Sequence, residues 1–371
     1  MNILVTGGAG FIGSHLVDAL VADGHRVRIL DSLVEQVHGE FAPPHLNTEA
    51  EFIRGDVCDA ADVAAALEDI DVVYHQAAEV GVGQSMYEIV RYVKTNDLGT
   101  AVLLEEMIKQ PEQFKKLIVA SSMSIYGEGA YRCEKCDKTV NPFLRPATQL
   151  AEHDWEFTCE GCGGQLKTIG TAETKPLFPT SVYAVSKQDQ EQYCLSVGRA
   201  YNIPTVAFRY FNVYGTRQSL SNPYTGICAI FSSRLMNDQA PIVFEDGEQT
   251  RDFVNVKDIV RANLIALKTD GGDYQAFNIG TGRATSVRQI ADLLAKGLGK
   301  EIAPEVVGKY REGDIRHCVA DISKARKMLG YEPTVTLEDG LAELLDWLGT
   351  QEAEDRVEGA TAELAERSLV K

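Results

Sequence analysis

Tyr183 and Lys187 stand four positions apart in the run Tyr-Ala-Val-Ser-Lys. On a helix this spacing puts phenol and ammonium on one face. A lysine charge held there stabilises tyrosinate, lowers its pKa toward neutrality and makes the phenol a general base. The pair alone is equally that of a surface tyrosine and lysine. A second signal is rich in hydroxyls: Ser121-Ser122-Met123-Ser124-Ile125-Tyr126-Gly127 directly follows the apolar run Leu117–Ala120. In an open parallel sheet the carboxyl end of a strand is where ligands bind, so Ser122 or Ser124 is placed to hydrogen-bond a reacting oxygen, with Ser122 preferred.

A third signal opens the chain. Strand-like Asn2–Thr6 runs into Gly7-Gly8-Ala9-Gly10-Phe11-Ile12-Gly13 and then an amphipathic stretch to Leu20. Gly7 permits the tight turn, Gly10 lets backbone approach a pyrophosphate beside Phe11 and Ile12, and Gly13 lets helix and strand pack closely. Asp31 closes the second strand, where a carboxylate accepts from ribose hydroxyls and repels a 2′-phosphate, favouring NAD over NADP. Its plainer reading is a strand cap. Asp56 and Val57 after the third strand, and Gln76, Ala77 and Ala78 after the fourth, extend the expected cofactor wall.

The elements that must position these groups follow a βα rhythm. Apolar runs at Asn2–Thr6, Arg26–Leu30, Glu51–Arg54, Val72–His75 and Leu117–Ala120 alternate with helical patterns at Val63–Glu68 and Leu98–Ile108. That rhythm predicts an α/β fold: a Rossmann-like, doubly wound parallel sheet with right-handed crossovers. It lapses between Tyr131 and about Gly170 and resumes with a helix over Val182–Ala200 and a strand at Thr205–Tyr210. The expected division is a dinucleotide-binding domain over 1–180, interrupted by an insertion at 131–170. The remaining sheet elements and a smaller C-terminal substrate domain follow over 181–350. The tail 351–371 is acidic and reads as a frayed helix with a solvated face.

The insertion carries four of the eight cysteines, as Cys133-x-x-Cys136 and Cys159-x-x-Cys162. Two such knuckles are expected to supply the four thiolates of a closed tetrahedral zinc site, structural rather than catalytic, with redox-active or merely free thiols as the alternative. Lying between Ser122 and Tyr183, it is expected near the active-site mouth, covering substrate or supporting an interface.

The 371 residues carry a net charge of −18, which excludes a broad nucleic-acid or anionic-membrane surface. A small anionic substrate held by a few local arginines stays permitted. No apolar run approaches the ~18 residues of a membrane-spanning helix, and strand-forming sequence from the second residue leaves no signal peptide, so the expected compartment is the cytoplasm.

Together TGGAGFIG, SSMSIYG, YAVSK, RYFNVYG and RDFVNVKD resemble the extended short-chain dehydrogenase/reductases, in particular their UDP-glucose 4-epimerase-like branch. The resemblance spans the first 130 residues and then Val182 to about Asp321. It implies Tyr183 as base, Lys187 as its pKa tuner and ribose ligand, Ser122 as polar partner and Asn96 as a further cofactor contact. It assigns Asn212, Arg251 and Arg311 to the diphosphate and nucleoside of a nucleotide sugar, although each arginine alone reads as a surface ion-pair former. It also implies a homodimer paired through helices near Asn96–Gln110 and Tyr183–Tyr201.

Met123 and Ser124 stand where the family's dehydratases carry an Asp-Glu pair, and Ser124 where its decarboxylases carry Glu. The expected activity is therefore NAD-dependent 4-epimerisation by transient oxidation at C4. A 4-ketoreductase is the first alternative, and a non-catalytic cofactor-sensing or zinc-ribbon interaction protein the second. The loop Glu79–Ser85 is expected to line the sugar, Glu79 being either a contact or a solvated carboxylate. The cysteine insertion resembles a subgroup assigned as dTDP-L-rhamnose 4-epimerases, so dTDP-6-deoxyhexoses stand beside UDP-hexoses and UDP-hexuronic acids.

Overall fold

The computed structural model describes residues 1–39 and 41–371. The strands form where apolar residues cluster: β1 (Asn2–Thr6), β2 (Arg26–Asp31), β3 (Glu51–Arg54), β4 (Val72–His75) and β5 (Lys116–Ser122), joined later by Thr205–Tyr210 and Gln275–Ile279. They pair in the order Gln275–Ile279, Thr205–Tyr210, β5, β4, β1, β2, β3, every pairing parallel.

Alternation along β1 divides the interior into two layers. Ile3 and Val5 meet Leu16, Val17 and Leu20 of the helix α1 (Phe11–Ala22) on one face, whereas Leu4 meets Val63, Leu67 and Leu103 on the other. The chain moves outward from β1 through β2 to β3, then returns to place β4 on the other side of β1. Loops leaving the carboxyl ends of β1 and β4 therefore diverge and open a crevice.

A third core gathers Tyr214, Phe231, Val243, Val287, Ile290, Leu294, Leu341 and Leu344 from the C-terminal half. The insertion builds its own antiparallel sheet from Thr139–Val140, Ala130–Cys133 and Leu166–Ile169, around Tyr131, Phe157 and Leu166. Backbone bonds from Gly129 to His317 (2.8 Å) and from Thr171 to Val319 (2.7 Å) sew it to the segment entering the C-terminal region.

The tail departs from its sequence reading. Val357–Glu366 is a helix, but one face is not solvated: Leu364 is buried, and Leu369 and Lys371 pair by backbone hydrogen bonds with Glu312 and Tyr310. Its apolar residues find a wall to pack on that lies far away in sequence. Among the described residues no helix is long and apolar enough to cross a membrane.

Candidate active site

The crevice widens into a cleft of about 1010 Å³. Its floor begins at the β1–α1 turn. Gly7 has φ +68°, and a side chain there would start 2.8 Å from Ala77; one on Gly13 would start 2.2 Å from the Gly7 carbonyl. Glycine is thus dictated by contact as well as conformation. Gly10 caps α1 without any side-chain hydrogen bond, which leaves the helix's first N–H groups open to an anion. Asp31 reaches the same wall, Oδ2 accepting from the Ala9 N–H at 3.0 Å and Oδ1 from the Leu33 N–H at 2.9 Å. The turn, Asp31, Asp56, Val57 and Gln76–Ala78 all line the cleft. A bare helix terminus with a carboxylate at the end of the neighbouring strand fits a dinucleotide.

Tyr183 and Lys187 lie on the helix Val182–Tyr201, started by the Ser181 side chain accepting from the Ala184 N–H at 3.1 Å. Ser85 fixes the first turn by accepting from the Tyr183 N–H at 3.0 Å. Both Tyr183 and Lys187 are buried and both line the cleft. Ser122, at the end of β5, lines the same cleft as Tyr183 and accepts from the Ser124 hydroxyl at 2.9 Å. A strand end and a helix more than fifty residues further on thus deliver the hydroxyls of Ser122, Ser124 and Tyr183 to one cleft.

The electrostatics differ from the sequence expectation. Burial pushes the Tyr183 phenol above the ordinary tyrosine range, opposed by the Ser122 hydroxyl. Burial also brings Lys187 down to about 7, so near neutrality its ammonium is present only part of the time. Its Nζ donates to Gln190 Oε1 at 2.8 Å. Gln190 donates onward to Thr100 at 2.8 Å, and Thr100 meets His75, itself bonded to Thr6 at 2.8 Å. Burial drives His75 down to about 3, so it is a neutral link in this chain.

The far wall carries Asn212, Arg251 and Arg311. Asn212 Oδ1 is buried without a hydrogen-bond partner, as are Gln218 Oε1 and Gln249 Oε1 on the same cleft. Such orphaned atoms normally have a ligand or water to meet. Arg251 is held by the Ile315 carbonyl at 2.7 Å, and Arg311 lies 4.8 Å over the Phe244 ring. Glu79 lines the cleft but is no solvated carboxylate, since Arg91 Nη2 donates to it at 2.8 Å.

Asn96 is not brought to the cleft. It sits in a π-helical turn, Val93–Leu98, fully buried, its amide holding both backbone groups of Glu79 and donating to Ser186 at 2.9 Å. It braces the wall rather than forming it, because every polar atom it owns is already used. Arg91, Gln218, Gln249 and Asp314 are cleft residues that sequence reasoning missed. Only Asp314 carried a local signal, three positions after Arg311.

The insertion does not cover the cleft, as none of residues 131–170 lines it. It backs the far wall instead. Trp155 packs on Tyr310 with ring centroids 6.5 Å apart, Arg145 grips Glu245 at 2.7 Å, and Glu156 holds Arg316 at 2.6 Å. Its four Sγ atoms lie within 4.8 Å of one another, Cys133 and Cys162 at 3.4 Å and Cys136 and Cys159 at 3.9 Å. Thiolates about 2.3 Å from one tetrahedral zinc stand about 3.8 Å apart, so the set fits the ion.

Residues 3–151 match the model of the NAD dependent epimerase/dehydratase family. Across 94% of the chain and 95% of the relative, the sequence is 36% identical to a dTDP-L-rhamnose 4-epimerase of Burkholderia thailandensis. The chain belongs to this epimerase/dehydratase family. Residues 162–344 also match the GDP-mannose 4,6 dehydratase model. A putative UDP-glucose 4-epimerase of Methanocaldococcus jannaschii is 34% identical over 93% of the chain and 98% of the relative. Among solved structures, UDP-glucuronic acid 4-epimerase from Bacillus cereus, in complex with UDP-glucuronic acid and NAD, superposes with a TM-score of 0.78 at 32% identity. It covers 94% of this chain and 99% of its own. The seven-stranded parallel sheet is thus the family's fold, and the open glycine turn fits the family's cofactor.

Proposed function

We propose that the chain is an NAD-dependent nucleotide-sugar 4-epimerase that inverts C4 through a transient 4-ketose. The observation that carries this reading is the convergence of Ser122, Tyr183 and Lys187 on one cleft with the glycine turn. Bound NAD supplies a hydride acceptor that returns the hydride to the same sugar. Tyr183 takes the C4 hydroxyl proton and later gives it back, with Ser122 holding the oxygen. Lys187 tunes the phenol, and the chain Gln190–Thr100–His75 holds the lysine in place. Asn212, Arg251 and Arg311 bind the diphosphate and nucleoside, Arg being suited to bidentate phosphate contact. Met123 and Ser124 supply no acid-base pair for dehydration, which weighs against the activity in the second matched model's name.

A dTDP-6-deoxyhexose is the substrate we favour. The Burkholderia relative's name supports it, and Val80, Val82 and Met86 make the wall beside Glu79 apolar. Arg91 there is committed to Glu79 and Glu88, which disfavours a sugar carboxylate. The cysteine set holds a structural zinc, and the enzyme works in the cytoplasm as a homodimer. Exposed Val90, Val93, Leu98, Val185 and Tyr193, on or beside the expected pairing helices, support the dimer.

The test is incubation with a panel of dTDP- and UDP-hexoses, following C4 configuration by proton NMR. The expected result is a C4 epimer with no net reduced cofactor. A product formed only with consumption of added NADPH would replace the epimerase by a ketoreductase.

A further inference from the structure

The acidic tail crosses the cleft from one wall to the other. It leaves the C-terminal core near Gln351 and is tied first to the helix Ile227–Met236: Asn237 donates to the Ala353 carbonyl at 2.8 Å, and Arg234 reaches Asp355 at 3.1 Å. Its helix then meets the loop expected to line the sugar. Glu363 Oε2 accepts from the hydroxyls of Tyr87 (3.1 Å) and Tyr224 (3.2 Å), which are 2.7 Å from each other. Leu364 is buried against Gly83, and Arg367 lies 4.2 Å over the Tyr87 ring. The last residues lie on the opposite wall, where Leu369 and Lys371 pair with Glu312 and Tyr310 and Val370 bridges to Arg311.

Inside this span Val357, Ala360, Thr361, Leu364 and Leu369 line the cleft. The outer side chains, among them Arg356, Glu358, Ala362, Ala365 and Glu366, face solvent. Apart from Leu364, its anchors are separate hydrogen bonds and ion pairs rather than a continuous apolar core, part-buried at Arg234–Asp355 and at Glu363 and exposed at Asn237–Ala353 and Lys371–Glu312. A helix whose inner face closes the cleft, tied at three separate places instead of packed along its length, is placed to lift and reclose.

Resting on the epimerase reading, we infer that residues 352–371 are a substrate-binding strap. It opens to admit the nucleotide sugar and closes to complete the cleft wall around it. Leu364 keys the strap to the sugar-side loop, while Leu369–Lys371 couple it to the Arg311 segment that holds the diphosphate. Closure also shields the 4-ketose from solvent, which an enzyme that must reduce the ketone it has just made requires.

The experiment compares the full chain, a chain ending at Gln351, and Leu364→Ala, the last guarding against misfolding of the truncation. Binding of dTDP and UDP is read by calorimetry, and turnover is read on the sugar panel. Tryptic cleavage after the exposed Arg356 and Arg367 is timed with and without nucleotide. The strap predicts nucleotide binding and KM weakened about tenfold or more by truncation and several-fold by Leu364→Ala, and cleavage slowed about tenfold by nucleotide. Binding and KM within twofold in both variants, or cleavage indifferent to nucleotide, overturns it. A full chain that binds nucleotide but epimerises nothing defeats the functional reading alone, and the binding comparison still decides the strap. A full chain that binds neither nucleotide defeats both.

Discussion

Arg251 and Arg311 hold opposite oxygens of one carboxylate: Arg251 Nη2 donates to Asp314 Oδ1 at 3.2 Å, and Arg311 Nη2 to Asp314 Oδ2 at 2.8 Å. Burial alone would raise the pKa of Asp314, yet the two guanidiniums hold it below the usual carboxylate range. Asp314 thereby fixes the spacing of two cations on the cleft wall. Arg311→Gln and Arg251→Gln are each expected to raise KM for the nucleotide sugar about 10- to 100-fold, the worth of a charge-assisted hydrogen bond, with a smaller change in kcat. Asp314→Asn is expected to raise KM as well, although it removes a negative charge from beside an anionic substrate. Steady-state kinetics of the three variants check this, and a lower KM in Asp314→Asn would show that the carboxylate only competes with substrate.

Tyr183→Phe removes the proposed proton acceptor and keeps the ring that packs edge-on against Tyr92 at 6.4 Å. Turnover is expected to fall about 10²- to 10⁴-fold, with dinucleotide binding and thermal stability nearly unchanged. Because burial holds the phenol above its ordinary pKa, kcat of the unaltered enzyme should climb with pH. Tyr183→Phe should abolish that limb in its residual turnover. A limb that persists there assigns the titration to another group.

His75 has a folded pKa of about 3 against about 6.5 unfolded. The unfolded chain therefore binds the extra proton first as pH falls. The stability contributed by neutral His75 is complete above about 6.5 and is lost toward pH 3, at up to about 1.4 kcal/mol per pH unit. Urea melts across that window should show a shallower decline for His75→Gln than for the unaltered chain. Equal slopes would mean that other histidines dominate.

Chelation of the cysteine set is expected to unfold the insertion, whose small core is Tyr131, Phe157 and Leu166. Trp155 leaves Tyr310 in that event, so tryptophan emission should shift to the red. The wall carrying Arg311 and Asp314 loses its backing, so KM should rise more than kcat falls. Restored emission and KM on adding zinc would check the metal; unchanged KM after full unfolding of the insertion would make it a separate module.

Much of this molecule is legible in local sequence. β1, β4 and β5 fall where apolar runs lie, because a buried parallel strand is built from such a run, while the edge strand β3 shows only two apolar residues between charges. The glycine turn is legible because contact distances leave no room for any other residue at Gly7 and Gly13. The cysteine knuckles are legible because one ion needs four ligands at fixed spacing. Asn96 is expected at the cofactor from the family resemblance alone, whereas its partners, the Glu79 backbone and Ser186, are brought to it by the packing of a loop and a helix.

Sequence by itself determined the chemistry available here: a phenol and an ammonium one helical turn apart, hydroxyls at a strand end, a turn open to phosphate and four thiols. Tertiary structure decided what those groups experience. Burial, a property of the whole fold, raises Tyr183 and lowers Lys187 and His75. Long-range packing pairs Arg91 with Glu79, sets the insertion behind Arg311 rather than over the sugar, and lays an acidic tail across the cleft. Spacing along a chain fixes which groups share a helix face or a turn, but desolvation and charge pairing depend on neighbours that only the closed fold supplies.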